Sequence, residues 1–390
     1  MVDDDIFHFS LFIIMMKEII KILSKDEIVG LHTIGNPDDD MYCGKIIKYE
    51  DDKLYFQTYD NSGEAYEIIQ AESSDIEWFE TNSADTEYLT KVITNKDKFI
   101  EKEEETIIGN EISEQLHNLW EKEIPALYHI KNDKDGYYAY LIGHNENTII
   151  LHSFNPYYNI DYGISCFPIA NLEKIEVYKP ELNIYPYLYD NRINVKKCHI
   201  ESADIRLGFF RKSMNEKMLV NVQNSTDIKN EEDLVGYVES IQEDVICFRK
   251  INPVGVDCGL EKYNVKDIVT FGYGGSYLDK IERLYKIGLS KKAEEDITVI
   301  SDRDKFISML LYSKEKGTVV SLISNETEGE YCISTGFVID VMKDWIHLKL
   351  YDFEEYHWYE CYRRIQDFSK LQRNGITELL VKSIFDKQKL

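Results

Sequence analysis

Four blocks of this chain repeat one spacing of residue types, and no other feature restricts its fold as strongly. Gly44, Ala139, Gly236 and Gly336 open the blocks. Two residues on stand Ile46, Leu141, Val238 and Val338; eight on, Asp52, Asn147, Asp244 and Asp344. Ten on come Leu54, Ile149, Ile246 and Ile346, and twelve on Phe56, Leu151, Phe248 and Leu348. Apolar residues two apart on either side of a polar turn describe a β-hairpin with one buried face. The Asp or Asn suits the turn, because its short side chain bonds local backbone and tolerates positive φ.

Each block has the same neighbours. The stretches KEIIKILSKDEIVGLHTIGN (17–36), ISEQLHNLWEKEIPALYHIKN (112–132), LGFFRKSMNEKMLVNVQN (207–224) and KFISMLLYSKEKGTVVSLISN (305–325) precede the blocks. Each predicts an amphipathic helix, a charged break and an alternating strand ending in Asn. Downstream, Ile76, Ile268 and Phe368 fall 32 residues after the opening glycine, preceded by Asp75, Asp267 and Asp367. In the second copy the spacing places Ile175, after Lys174, in this role, with a four-residue insertion. Tyr88-Leu89, Tyr187-Leu188, Tyr277-Leu278 and Leu379-Leu380 then mark short helices. The expectation is a mainly β chain with α: four tandem helix-plus-five-strand small β-barrel units at 1–95, 96–200, 201–301 and 302–390. Curvature into barrels would protect the edges of such short strands.

This order and the hairpin pattern resemble the Sm-like (SH3-type) small β-barrel, over about 60–70 residues of each unit. The resemblance implies an N-terminal helix with five bent strands, ring-like assembly, and RNA binding through an Asp…Asn pair and an Arg-Gly turn. Lys53, Thr148, Val245 and Trp345 stand where that Asn is required, and no Arg-Gly dipeptide occurs. The resemblance therefore carries the fold and not the RNA site.

Charge narrows the function. The formal net charge is -26, and residues 1–95 alone hold 21 acids against 7 lysines, a net of -14. Residues 302–390 hold 15 acids against 13 bases, and no arginine precedes Arg192. General attraction to nucleic acid is excluded, and a basic protein partner is favoured. Acidic residues recur between the first two strands: Asp38-Asp39-Asp40, Asp133 and Asp135, Glu231-Glu232-Asp233, and Glu326, Glu328 and Glu330. They lack calcium-loop spacing.

Seven scattered cysteines include no C-x-x-C pair, and nine histidines form no metal or catalytic signature, so neither metal nor cofactor is expected. The apolar stretch 6–16 is too short to span a membrane, and Asp3, Asp4 and Asp5 replace the basic flank of a signal peptide. A cytoplasmic location is expected. Gly272, Gly274 and Gly275 read as a turn before a helix starting near Ser276, not as a phosphate loop.

Two aromatic stretches stand outside the repeated pattern: NPYYNIDYGISCF (155–167) with NIYPYLYD (183–190), and FEEYHWYECYRR (353–364). Alternation sends Tyr356, Trp358 and Tyr362 to one face of the second, and His357, Tyr359 and Cys361 to the other. Low-entropy aromatic side chains and arginines serve either packing or recognition. The candidate binding residues are Asp38, Asp39, Asp40, Tyr356, His357, Trp358, Tyr359, Arg363 and Arg364. The function expected is a non-enzymatic bacterial interaction protein, an inhibitor or immunity-type factor with protein partners. A nucleic-acid-binding Sm-like repeat protein and an enzyme with a site between units are the alternatives.

Overall fold

A computed structural model describes residues 16–23, 28–34, 41–98, 111–131, 136–177, 180–189, 193–198, 205–224, 234–289, 298–324 and 332–388. The fold is mainly β and divides into two compact units, one of residues 1–98 with 292–390, the other of 99–291. The border expected at 200/201 falls inside the second unit. Among the described residues, no helix is long and apolar enough to cross a membrane.

Four runs of five strands follow one another. The first comprises β1 (Val29–Thr33), β2 (Tyr42–Glu50), β3 (Lys53–Tyr59), β4 (Ala65–Glu72) and β5 (Ile76–Thr81). Helical residues 16–22 (α1) precede it and α2 (Ala84–Asn95) follows it. After α3 (Ile112–Lys122) come β6 (Pro125–Ile130), β7 (Tyr137–His144), β8 (Thr148–Asn155), β9 (Ile160–Pro168), β10 (Leu172–Glu176) and α4 (Pro180–Leu188). The third run is α5 (Arg206–Glu216), β11 (Leu219–Asn224), β12 (Leu234–Gln242), β13 (Val245–Ile251), β14 (Asp257–Asn264), β15 (Ile268–Tyr273) and α6 (Gly275–Leu289). A short β16 (Thr298–Ile300) leads into α7 (Arg303–Lys316), β17 (Val319–Ser324), β18 (Ile333–Val341), β19 (Trp345–Asp352), β20 (His357–Arg364), β21 (Phe368–Arg373) and α8 (Ile376–Gln388).

Within every run the hydrogen-bonded order is fifth, first, second, third, fourth, all antiparallel where they join. The fourth strand does not close onto its own fifth. Instead β20 pairs with β5 (Tyr362 opposite Phe79), and β9 pairs with β15 (Cys166 opposite Phe271). The result is two open sheets: eleven strands in the unit holding both termini, ten in the other. Separately closed barrels are not what these hydrogen bonds build, because the edge that would close a barrel is taken by another run.

The repeated spacing has a steric cause. A Cβ on Gly44, Gly236 or Gly336 would lie 2.0–2.1 Å from the carbonyl oxygen of Gln57, Arg249 or Lys349 on the next strand. Glycine lets the second strand bend over the third. A β-bulge follows in all four runs, between Ile46 and Lys48, Leu141 and Gly143, Val238 and Ser240, and Val338 and Asp340. The inward positions of the third strands, Leu54 with Phe56 through Ile346 with Leu348, are fully buried.

The second-run alignment differs from expectation. A single 3₁₀ turn precedes the fifth strand in each run, and in the second it is Ile169–Asn171, so Leu172 takes the place of Ile76, Ile268 and Phe368. The loop therefore gains one residue, not four, and Asn171 rather than Lys174 matches the aspartates.

Replacing Gly336 by Ala forces a methyl against a carbonyl that a paired strand holds in place. We expect a loss of about 1–3 kcal/mol in unfolding free energy by urea titration. Ala139→Val, at the one block opened by a residue with a Cβ, is expected to cost less.

Candidate functional site

The hairpin of β19 and β20 carries most of the candidate residues. Its turn starts at Asp352, whose Oδ1 accepts the backbone N–H groups of Glu354 (2.6 Å) and Glu355 (2.9 Å). Tyr356 closes it in a left-handed conformation, φ 52°. Asp60, Asn155 and Asn252 cap the corresponding turns of the other runs in the same way. All four stand sixteen residues after the opening glycine or alanine. Sequence reading overlooked this position, although its gap-free Asx pattern was available.

Beyond the turn, Tyr356, His357, Trp358, Tyr359 and Glu360 line a cavity of about 360 Å³ with Lys349 of the facing strand. Asn82 and Glu87, from the end of β5 and from α2, complete it. The β20–β5 pairing brings these distant parts of the chain together. His357 Nε2 lies 2.9 Å from the Asn82 carbonyl and 3.5 Å from Glu87 Oε1; both are acceptors, so Nε2 carries the proton. The hydrogen bond from His357 is the main reason the Glu87 carboxyl sits below its ordinary range, against the effect of burial.

Glu355 behaves oppositely. Burial first, then the charges of Asp352, Asp85 and Glu354, push its carboxyl up to about 7, with His357 opposing. Its Oε2 is buried and makes no hydrogen bond. The indole Nε1 of Trp358 is likewise buried without a partner.

The remaining candidates divide between packing and location. Trp358 sits among the rings of Tyr351 (5.1 Å), Phe385 (5.6 Å) and Phe337 (5.9 Å). Tyr359 packs on the fourth-run core, and Tyr362 stacks on His347 at 4.3 Å within the first-run core. Arg363 lies over Trp78 (4.5 Å) and Phe368 (4.8 Å). Arg364 Nη2 donates to the carbonyls of Ser73 (3.1 Å), Ser74 (3.0 Å) and Ile76 (2.5 Å). Both arginines thus hold strands together across the β20–β5 seam instead of facing a ligand. Asp38, Asp39 and Asp40 lie outside the described residues, as do the acidic residues in the three equivalent loops.

The other aromatic stretch packs mainly on itself. Tyr185 is buried against Phe154, and its hydroxyl reaches Asn159 Oδ1. The Tyr189 hydroxyl donates to the Tyr157 carbonyl. All seven cysteines are free, and no metal-binding cluster of His, Cys, Asp or Glu is found among the described residues. Histidines instead pair with carboxylates across strands: His32 with Glu80, His129 with Glu176, His152 with Asp161 and His347 with Glu360.

No family model matches this chain, and no curated protein matches it. Among solved structures, one described as a thioesterase II from Thermobifida fusca YX shares 8% identity over 85% of this chain and 95% of that one. Its TM-score is 0.08, which carries no argument about fold or activity.

Two outcomes test this reading. Arg364→Ala removes the donor from the part-buried Ser73 and Ile76 carbonyls and is expected to lower stability by about 1–3 kcal/mol in urea, with Arg364→Lys recovering less than half. Glu355 holds a proton in the folded chain where an ordinary carboxyl of pKa 4.5 has lost it. The associated stabilisation is fully present below pH 4.5 and is lost as pH rises through about 7. Glu355→Gln should therefore match the wild-type melting temperature at pH 4 and exceed it at pH 8.

Proposed function

We propose that this chain is a non-enzymatic interaction protein that binds a protein partner through the aromatic, acidic cavity at the β20–β5 seam. The observation that carries the reading is convergence. Tyr356, His357 and Trp358 meet Glu87 and Glu360 in one cavity, next in sequence to Glu355, whose Oε2 is buried and makes no hydrogen bond. Rings edged by carboxylates suit an inserted Lys or Arg side chain, through ring and charge attraction together. A basic partner also suits a chain of net charge -26. An inhibitor or immunity-type role in the bacterial cytoplasm belongs to the same proposal.

The proposed architecture is four diverged Sm-like units joined edge to edge. Its support is the strand order shared by all four runs and the fourth-to-fifth strand pairing used in both sheets. The RNA-binding alternative loses support, because Arg363 and Arg364 are committed to rings and carbonyls inside the sheet.

Partner capture from the native host with wild type and Tyr356→Asn tests the proposal. Asn tolerates the left-handed backbone, so the substitution removes the ring and keeps the turn. Binding of the captured protein, measured by calorimetry, should weaken at least about thirtyfold, as for an interface anchor. Glu87→Gln should weaken it further and reduce its salt dependence. Equal affinity for wild type and both variants would remove the cavity from the interface.

A further inference from the structure

A cavity of about 520 Å³ lies in the unit of residues 99–291. Its walls are apolar: Ile142, Ile150 and Ile164 from the second-run sheet face Phe209 of α5. The extended segment 193–198 forms another side. It is pinned where Cys198 N–H donates to the Ile142 carbonyl at 2.8 Å, beside the β7 bulge. Gly143 makes that approach feasible, since a Cβ there would lie 2.7 Å from Cys198 Sγ.

Three lysines line this apolar cleft, and among its described lining residues there is no carboxylate. Lys197 is occupied, with Nζ 3.2 Å from Glu123 and 4.9 Å from the centre of the Trp120 ring. Lys196 and Lys212 are exposed and make no ion pair among the described residues. Apolar walls suit a hydrocarbon, and two exposed ammonium groups with no ion pair among the described residues suit an anion.

We propose that this cleft binds a single-chain amphiphile with an anionic head. The chain lies against the isoleucines and Phe209, and the head meets Lys196 and Lys212. At the roughly 30 Å³ that one water occupies in the liquid, the cleft has room for a dozen carbon atoms. Cys198 marks the wall: it is half-buried, whereas Cys258 and Cys332 are exposed.

Laurate, dodecyl phosphate and the neutral ester monolaurin are the probes, titrated calorimetrically into the full chain below their micellar concentrations. Laurate or dodecyl phosphate should bind at one saturable site, and their ranking tells a carboxylate head from a phosphate one. The double variant Lys196→Gln, Lys212→Gln alters only exposed side chains; it should bind the anions at least about tenfold more weakly and no better than monolaurin. Bound laurate should slow alkylation of Cys198, read by peptide mass mapping, and leave Cys258 and Cys332 unchanged. Absence of saturable binding, equal affinity for monolaurin in the wild type, indifference to the double substitution, or unprotected Cys198 would each overturn the proposal.

Discussion

A sheet edge is a row of unpaired backbone donors and acceptors, and the architecture follows from how this chain disposes of such edges. A run ordered fifth, first, second, third, fourth has one edge on its fifth strand and one on its fourth. Joining β20 to β5 and β9 to β15 removes four of them. The joins are not merely backbone. In the central unit Tyr140, Ile150 and Phe154 share one core cluster with Val220, Phe248 and Phe271, so the second and third runs pack as a single body. In the other unit Trp345 and Tyr362 of the fourth run sit in the first-run core. At β9–β15 the contact depends on glycine, because a Cβ on Gly272 or Gly275 would strike the backbone of Ile164 or Tyr162.

The β20–β5 join also carries an arginine to the first run. In the third and fourth runs, Arg206 and Arg303 at the start of the run's own helix donate to the carbonyls around the 3₁₀ turn before the fifth strand. The first run has no arginine, and its equivalent carbonyls, Ser73, Ser74 and Ile76, are served by Arg364 from the fourth run. A guanidinium is always charged and lies flat, so one end of it can sit among several carbonyls. The missing arginine is thus supplied across the seam, and that dependence ties the first run to the last.

Elements were legible in the sequence wherever they rest on local patterning. The block spacing marks the bulged hairpin, the helix-break-strand stretches mark the start of each run, and the fifth-strand residues Ile76, Ile268 and Phe368 are buried as the spacing requires. Pairing between runs was not legible, since strand alternation is identical whether a fourth strand closes a barrel or joins another run. The candidate site shows the same division. Tyr356, His357, Trp358 and Tyr359 were readable as an aromatic cluster, yet Asn82 and Glu87 lie some 270 residues away in the chain and reach it only through the β20–β5 join. Arg363 and Arg364 read as surface cations because nothing in their neighbourhood reveals the rings and carbonyls they meet.

The turn between third and fourth strands differs among the runs, and it alternates. In the first and third runs the Asx-capped turn closes on a glycine, Gly63 (φ 76°) or Gly255 (φ 78°), packed closely against α2 or α6. In the second and fourth it is one residue longer and closes on Asn159 (φ 55°) or Tyr356 (φ 52°). The longer turn occurs in the runs whose fourth strands, β9 and β20, join another run, and the glycine turn in those whose fourth strands, β4 and β14, end a sheet. A left-handed Tyr costs backbone strain that a glycine there would avoid, so its ring must contribute elsewhere. At Tyr356 that place is the wall of the cavity holding His357, Trp358 and Glu87. Seam and cavity are therefore one construction, made by the turn that distinguishes even runs from odd.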